Sequence, residues 1–173
     1  MGDGDGWVTA AGGVRRWGRH GAAGLLLVDD GTGEDGADPA AGRQVLLQLR
    51  AGWTHLGGTW GLPGGAVDSH EDADAGALRE AHEETGLEPA AVEVLGRRVT
   101  ADLGVWRYTV VLGRRRPGSP PQAPHAATAE SDAVRWVPLD DVPTLPLHPG
   151  LVTTWPALRR WVDELGRTSP ARR

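Results

Sequence analysis

Residues 65–87 read GAVDSHEDADAGALREAHEETGL. The part from 71 to 85 predicts a helix, with Asp68 or Ser69 as the cap at its start and Gly86 as its stop. Spacings of three and four residues put Glu80, Glu83 and Glu84 on one side of that helix, across about 100° of arc. Ala75, Leu78, Ala81 and Thr85 fall on the opposite side. One face can therefore pack on a sheet while the other presents three carboxylates. Like charges at this spacing repel by a few tenths of a kcal/mol per pair, about 0.2–0.5. A divalent cation would relieve that cost, and hard oxygen donors suit Mg²⁺ or Mn²⁺. The plainer alternative is a solvated acidic face, with Arg79 and Glu83 as an ordinary surface ion pair.

The flanks of this helix narrow the choice. Leu62-Pro63-Gly64-Gly65 precedes it and Thr85-Gly86-Leu87 follows it. Gly65, Glu71, Arg79, Glu80, Glu83, Glu84, Gly86 and Leu87 match G-x5-E-x7-R-E-U-x-E-E-x-G-U, where U is a bulky apolar residue. That is the signature of the Nudix hydrolases, and the sequence resembles this family closely. Ala81 departs from the pattern by being small, which bears on packing and not on chemistry. The resemblance continues outside the box. A strand ending in arginine precedes it as Leu46 to Arg50, the W-x-x-P-G-G lead-in is Trp60 to Gly65, and Glu130 stands ahead of Trp136 as a later loop acid.

The resemblance implies a reaction. Nudix enzymes cleave a pyrophosphate bond in a nucleoside diphosphate linked to another group. Clustered negative charge on such a substrate repels an attacking water, and bound metals neutralise it. On this likeness Glu80, Glu83 and Glu84, with the backbone carbonyl of Gly64, would hold Mg²⁺ (or Mn²⁺). Glycines at 64 and 65 suit close backbone approach. Arg79 would orient a ligand carboxylate, and Glu71 would support the loop–helix–loop. Glu83 is the favoured general base or metal ligand, and Glu130 is the alternative. Arg50 is a candidate phosphate contact, since guanidinium binds phosphate in a two-pronged way. Trp53 is a candidate stacking partner for a base, whereas Trp60 reads as packing. His55, His70, His82 and His125 show no partner pattern.

The rest of the chain sets the frame. Its 173 residues and 18.3 kDa fit one domain with its own core. Cysteine is absent, which excludes disulfides, thiolate metal sites and a cysteine nucleophile. All 18 basic residues are arginine, and lysine, asparagine, isoleucine and phenylalanine are missing, a pattern of codon usage more than of adaptation. The net charge of −5 argues against a nucleic-acid partner. The longest apolar run, Ala22 to Val28, is far too short to span a membrane. An acidic, Gly-rich start does not read as a secretory signal, so a cytoplasmic location is expected.

Residues 1–18 are expected to be a flexible arm, 19–166 a Nudix hydrolase domain, and 167–173 a disordered tail. Within the domain, 21–29 and 43–50 read as strands of a hairpin with an enlarged tip at 30–42. Strands are expected at 92–102, 105–113 and 133–137, a Pro-rich loop at 114–128, and a last amphipathic helix at 151–165 with Trp155, Leu158, Trp161 and Leu165 on one face. The fold class is α/β, an α/β/α sandwich with a mixed central sheet and a loop–helix–loop catalytic motif. The expected activity is Mg²⁺-dependent hydrolysis of a nucleoside diphosphate derivative, first a (d)NTP. An ADP-ribose or nucleotide-sugar pyrophosphatase and a non-catalytic nucleotide-binding module are the alternatives. The expected partner is a small nucleotide, with no membrane. Homodimers occur in the family, but this sequence carries no independent sign of one.

Overall fold

The structure, a computed structural model, describes residues 2–31, 42–116, 118–120 and 123–168, with side chains through Glu164. Most of the expected 30–42 loop, the last five residues of the tail and the Leu165 side chain lie outside the described residues.

The centre is strand β3, Ala22–Asp29, whose sequence AAGLLLVD is buried at every position. A run that is apolar on both faces can only be an inner strand covered from two sides. Ala23, Leu25 and Leu27 point into one apolar cluster, and Leu26 and Val28 into another. The first cluster is closed by helix α1, Ala73–Thr85, through Ala77 and Ala81. The second is closed by helix α2, Pro149–Thr168, through Leu151, Trp155, Leu158, Trp161 and Val162. This is the expected α/β/α sandwich. Each fully buried leucine adds about 1.5–3 kcal/mol over leaving it exposed.

The sheet is mixed. Strand β8, Arg107–Arg115, runs parallel to β3, and β7, Val92–Asp102, runs antiparallel to β8. Strand β4, Gln44–Arg50, meets β3 only at Val28↔Val45 and Asp29↔Gln44, so the expected hairpin is closed at its tip alone. Beyond that point the strands diverge. Strand β4 pairs along its length with β9, Ser131–Pro138, and briefly with β5, Trp60–Gly61. Strand β3 pairs instead with β6, Gly64–Ala66. Leu62 and Pro63 cross between β5 and β6, which carries the glycine pair to the foot of α1.

Three expectations are corrected. Helix α1 starts at Ala73 and is capped by Asp72, whose Oδ1 accepts the Ala75 N–H at 2.9 Å. Asp68 and Ser69 do not cap it, because both are engaged by the N-terminus. The packing face of α1 is Ala77, Ala81 and Thr85, while Ala75 is exposed. Helix α2 continues through Thr168, past the expected start of the tail.

The N-terminus is more ordered than its glycine content suggested. Trp7–Thr9 (β1) and Arg15–Trp17 (β2) form an antiparallel hairpin in which Trp7 opposes Trp17. Two three-residue strands are too short to show a period in sequence, and a lone hairpin is marginal in water. Here tertiary bonds hold it. Gly4 N–H donates to Asp68 at 2.7 Å, Ser69 donates to Asp3, and Trp106 Nε1–H donates to the Trp17 carbonyl at 2.9 Å. Ala10, Ala22 and Trp106 bury one another beneath it.

Candidate active site

The last turns of α1 lie against β6, and that contact builds the site. Gly64 N–H donates to Glu84 Oε2 at 2.8 Å. Gly64 has φ of 156°, and a Cβ there would come within 2.2 Å of the Ala23 carbonyl oxygen. A Cβ on Gly65 would come within 2.5 Å of Glu80 Oε2. The bare backbone at Gly65 thus lets Glu80 lie beside it, while that at Gly64 lets β6 close on β3.

Arg79 ties the motif together. Its guanidinium donates to both oxygens of Glu71 at 2.8 and 3.1 Å, to the Ala66 carbonyl at 2.9 Å, to Glu80 at 2.9 Å and to Glu83 at 3.3 Å. Glu71 also accepts from Asp68 N–H at 3.2 Å, so it braces the loop that enters the helix. Its carboxyl is held below the usual range, chiefly by Arg79. Gly86, with φ of 72°, ends the helix as expected, and the His82 ring contacts the Leu87 carbonyl at the same turn.

The three glutamates differ sharply in environment. Glu84 is only 6 % exposed. Burial pushes its carboxyl up to about 7, and the charge of Glu80 adds to the rise. Burial also pushes Glu80 up to about 7 against the pull of Arg79. Glu83 is more than half exposed. The expected row of three solvent-facing acids is therefore a buried acid, a partly buried acid and an exposed one. Their ligand atoms are not gathered within 4.8 Å. Among the described residues the trio that meets this spacing is Asp3, Asp68 and His70. Two of those side chains already accept hydrogen bonds, from Ser69 and Gly4.

Do the box residues suit a divalent ion? Two desolvated carboxylates that repel each other are favoured by positive charge placed between them. The donors are all oxygen, which matches Mg²⁺ or Mn²⁺. The space beside Glu80 is one that a Cβ on Gly65 would fill. The residues fit.

Other expected site residues fall around this centre. Arg50 ends β4, and its Nε–H donates to the His55 carbonyl at 3.3 Å. Its charge reaches Glu84 and Tyr108. Trp53 is 70 % exposed on the following loop, whereas Trp60 is buried in the core with Arg135 over its ring. Glu130 is exposed, and its backbone carbonyl accepts from Ala51 N–H at 2.8 Å, which docks its loop beside the end of β4.

Sequence reasoning missed Gln48, Tyr108 and His148. Gln48 is buried, donates to Ser131 Oγ at 2.7 Å, and sits next to Glu84, whose ionised form its amide favours. A lone amide inside the apolar run VLLQLR was the available signal. The Tyr108 ring fills the space above Gly24, and burial raises its hydroxyl pKa, with the Glu84 charge adding. His148 immediately precedes α2, and its Nδ1 accepts from Gly150 N–H at 3.1 Å.

A mixed sheet between two helices, with a glycine pair set against the acids of a short capped helix, defines a Nudix-type pyrophosphohydrolase. The NUDIX domain family matches residues 18–161. The chain belongs to the Nudix family. It is 48 % identical over 166 residues to a Mycobacterium tuberculosis protein named "Putative 8-oxo-dGTP diphosphatase 3", covering 91 % of this chain and 70 % of that one. It is 42 % identical over 164 residues to a nucleoside triphosphate pyrophosphatase/Nudix hydrolase fusion protein of Bifidobacterium longum, covering 94 % of this chain and 32 % of the fusion. The crystal structure of the M. smegmatis Nudix hydrolase RenU superposes with a TM-score of 0.80 at 43 % identity, covering 98 % of this chain and 99 % of that one.

Proposed function

We propose that this chain is a Mg²⁺-dependent pyrophosphohydrolase of nucleoside triphosphates, with an oxidised purine deoxynucleoside triphosphate as the first substrate to test. The observation that carries it is the pairing of desolvated Glu80 and Glu84 with the bare Gly64-Gly65 backbone. The name of the M. tuberculosis relative supports the choice of substrate. In this reading Glu80, Glu83, Glu84 and the Gly64 carbonyl hold the ion. When bound, the ion supplies positive charge against the phosphate oxygens. Arg79 keeps Glu80 and Glu71 aligned. Glu83, exposed and held by one long contact, is free to turn and accept a proton from the attacking water, with Glu130 as the second candidate. Arg50 faces the phosphates and Trp53 the base.

The test is steady-state hydrolysis with Mg²⁺, read as pyrophosphate from 8-oxo-dGTP and dGTP and as the nucleotide products from ADP-ribose and diadenosine polyphosphates. Glu83→Gln and Glu84→Gln are each expected to lower kcat by about 10²–10⁴-fold, the range seen when a positioned acid–base group is lost. Circular dichroism should stay unchanged. Wild-type rates in both variants would overturn the assignment.

A further inference from the structure

Beside Glu84 an amide and a hydroxyl are buried in an otherwise apolar neighbourhood. Leu46 of β4 packs in the apolar cluster on the α1 side of the sheet, and strand alternation puts Gln48, two residues on, on that same side. Gln48 is only 1 % exposed within the run VLLQLR. Its Nε2–H donates to Ser131 Oγ at 2.7 Å, and Ser131 Oγ–H donates over 3.5 Å to the Glu84 backbone carbonyl. The amide oxygen, Oε1, is buried with no hydrogen-bond partner among the described residues. An apolar side chain at 48 would fill the same place without burying an unpaired oxygen. Packing alone therefore gives no reason for the amide.

Ser131 is aimed at this place by an irregularity in the sheet. Strand β9 pairs with β4 in steady register from Pro138 to Ala133, but the register shifts between Leu49 and Arg50, so that Ser131 and not Asp132 opposes Arg50. The extra residue turns Ser131 away from the α2 side, where Ala133 packs, and toward the α1 side, where Gln48 lies. The loop ahead of β9 is fastened to the same end of α1. Ala127 N–H donates to the Glu84 carbonyl and His125 N–H to the Thr85 carbonyl, each at 3.0 Å. These bonds satisfy carbonyls that a helix end leaves open. The end of α1, β4 and the loop that carries Glu130 thus meet at Ser131.

We propose that Gln48 is a positioning residue for the Glu84 carboxylate, and that Ser131 holds the Gln48 amide in place for this role. With one amide N–H on Ser131, Gln48 has a second N–H for the carboxylate. Hydrogen bonding from this amide favours the ionised form of Glu84. The carboxylate also accepts from Gly64 N–H, so two donors from different strands fix its oxygens for an ion. Carboxylates that hold a metal are commonly oriented by partners that never touch it. This rests on the reading of Glu84 as an ion ligand.

The test is binding of Mn²⁺ to the full chain without nucleotide, read as the free-ion signal in electron paramagnetic resonance well below the melting temperature. Gln48→Met keeps the length of the side chain without its amide. It is expected to weaken Mn²⁺ by about 10–100-fold, the range seen when a partner of a metal-bound side chain is lost. Ser131→Ala should shift affinity the same way, and Ser131→Thr, which keeps the hydroxyl, should restore it. Melting curves check that each variant is folded at the temperature of measurement. A purely structural role gives a different pair of results, a lower melting temperature with wild-type Mn²⁺ affinity. Wild-type affinity in Gln48→Met would overturn the proposal, and in Ser131→Ala it would remove Ser131 from it. If Gln48→Met does not fold, Ser131→Ala decides alone. Glu84→Gln is the control. If it binds Mn²⁺ as wild type does, the ion-ligand reading of Glu84 fails and this proposal with it. If it weakens Mn²⁺ while Gln48→Met does not, only the positioning role fails.

Discussion

Glu84 is a carboxylate placed where ionisation is costly. Its Oε2 is bonded by Gly64 N–H and its neighbourhood includes the Gln48 amide, yet burial outweighs both and lifts its pKa to about 7. The unfolded value is near 4.5. The folded protein therefore holds a proton that the unfolded chain releases between those two values. Stability from this group is full at low pH and declines as pH rises from about 4.5 to about 7, the reverse of an ordinary salt-bridged acid. Glu80 acts in the same direction. In EDTA, the melting temperature of wild type relative to Glu84→Gln should fall as pH is raised from about 5 to about 8. Mg²⁺ should restore it at the upper end, because a cation replaces the proton. A pH-independent difference between the two proteins in EDTA would contradict this account of Glu84.

At the scale of elements, α1 is a short helix with small residues, and its ends matter. Only Ala77, Ala81 and Thr85 bury fully against the sheet, alongside Gly76 and Glu84. Such a face contributes little apolar area, so capping carries weight. Asp72 satisfies Ala75 N–H at one end, and Gly86 in the left-handed conformation closes the other. Asp72→Ala should cost about 1 kcal/mol, or roughly 2–4 °C in melting temperature for a chain of this size. Its side chain touches none of the box glutamates, so kcat well below the transition should stay the same. A loss of activity without a loss of stability would show that the cap does more than hold the helix. The partial pairing of β3 with β4 belongs to this scale too. It frees β3 to bind β6, and thereby puts Gly64 opposite Gly24.

At the scale of the molecule, the N-terminal hairpin and the entry loop of α1 are one unit. Asp68 joins them through its bond to Gly4 N–H, and Asp3 binds Ser69 from the other side. Asp68→Ala leaves a buried N–H without its acceptor, a loss of about 1–3 kcal/mol felt first by the hairpin. Limited proteolysis should then cut within residues 1–20 faster than in wild type, while the fragment from 21 onward stays intact by mass spectrometry. Cleavage spread over the whole domain would mean that the hairpin is not a separable layer.

The local chemistry was legible in the chain. Helical spacing alone brought Glu80, Glu83 and Glu84 to one region, the glycine pair marked a close approach, and the apolar run at 22–28 could only be an inner strand. These follow from covalent geometry and side-chain size, which are fixed over a few residues. What the chain could not reveal was set by contacts between distant segments. Burial of Glu84 but not Glu83 depends on where β6 meets α1. The cap moved from Asp68 to Asp72 because the N-terminus claims Asp68. Trp7 meets His55, and Arg50 the His55 backbone, only after the hairpin and β4 come together. Periodicity records how a segment relates to itself, whereas desolvation and charge convergence are properties of neighbours that only folding supplies.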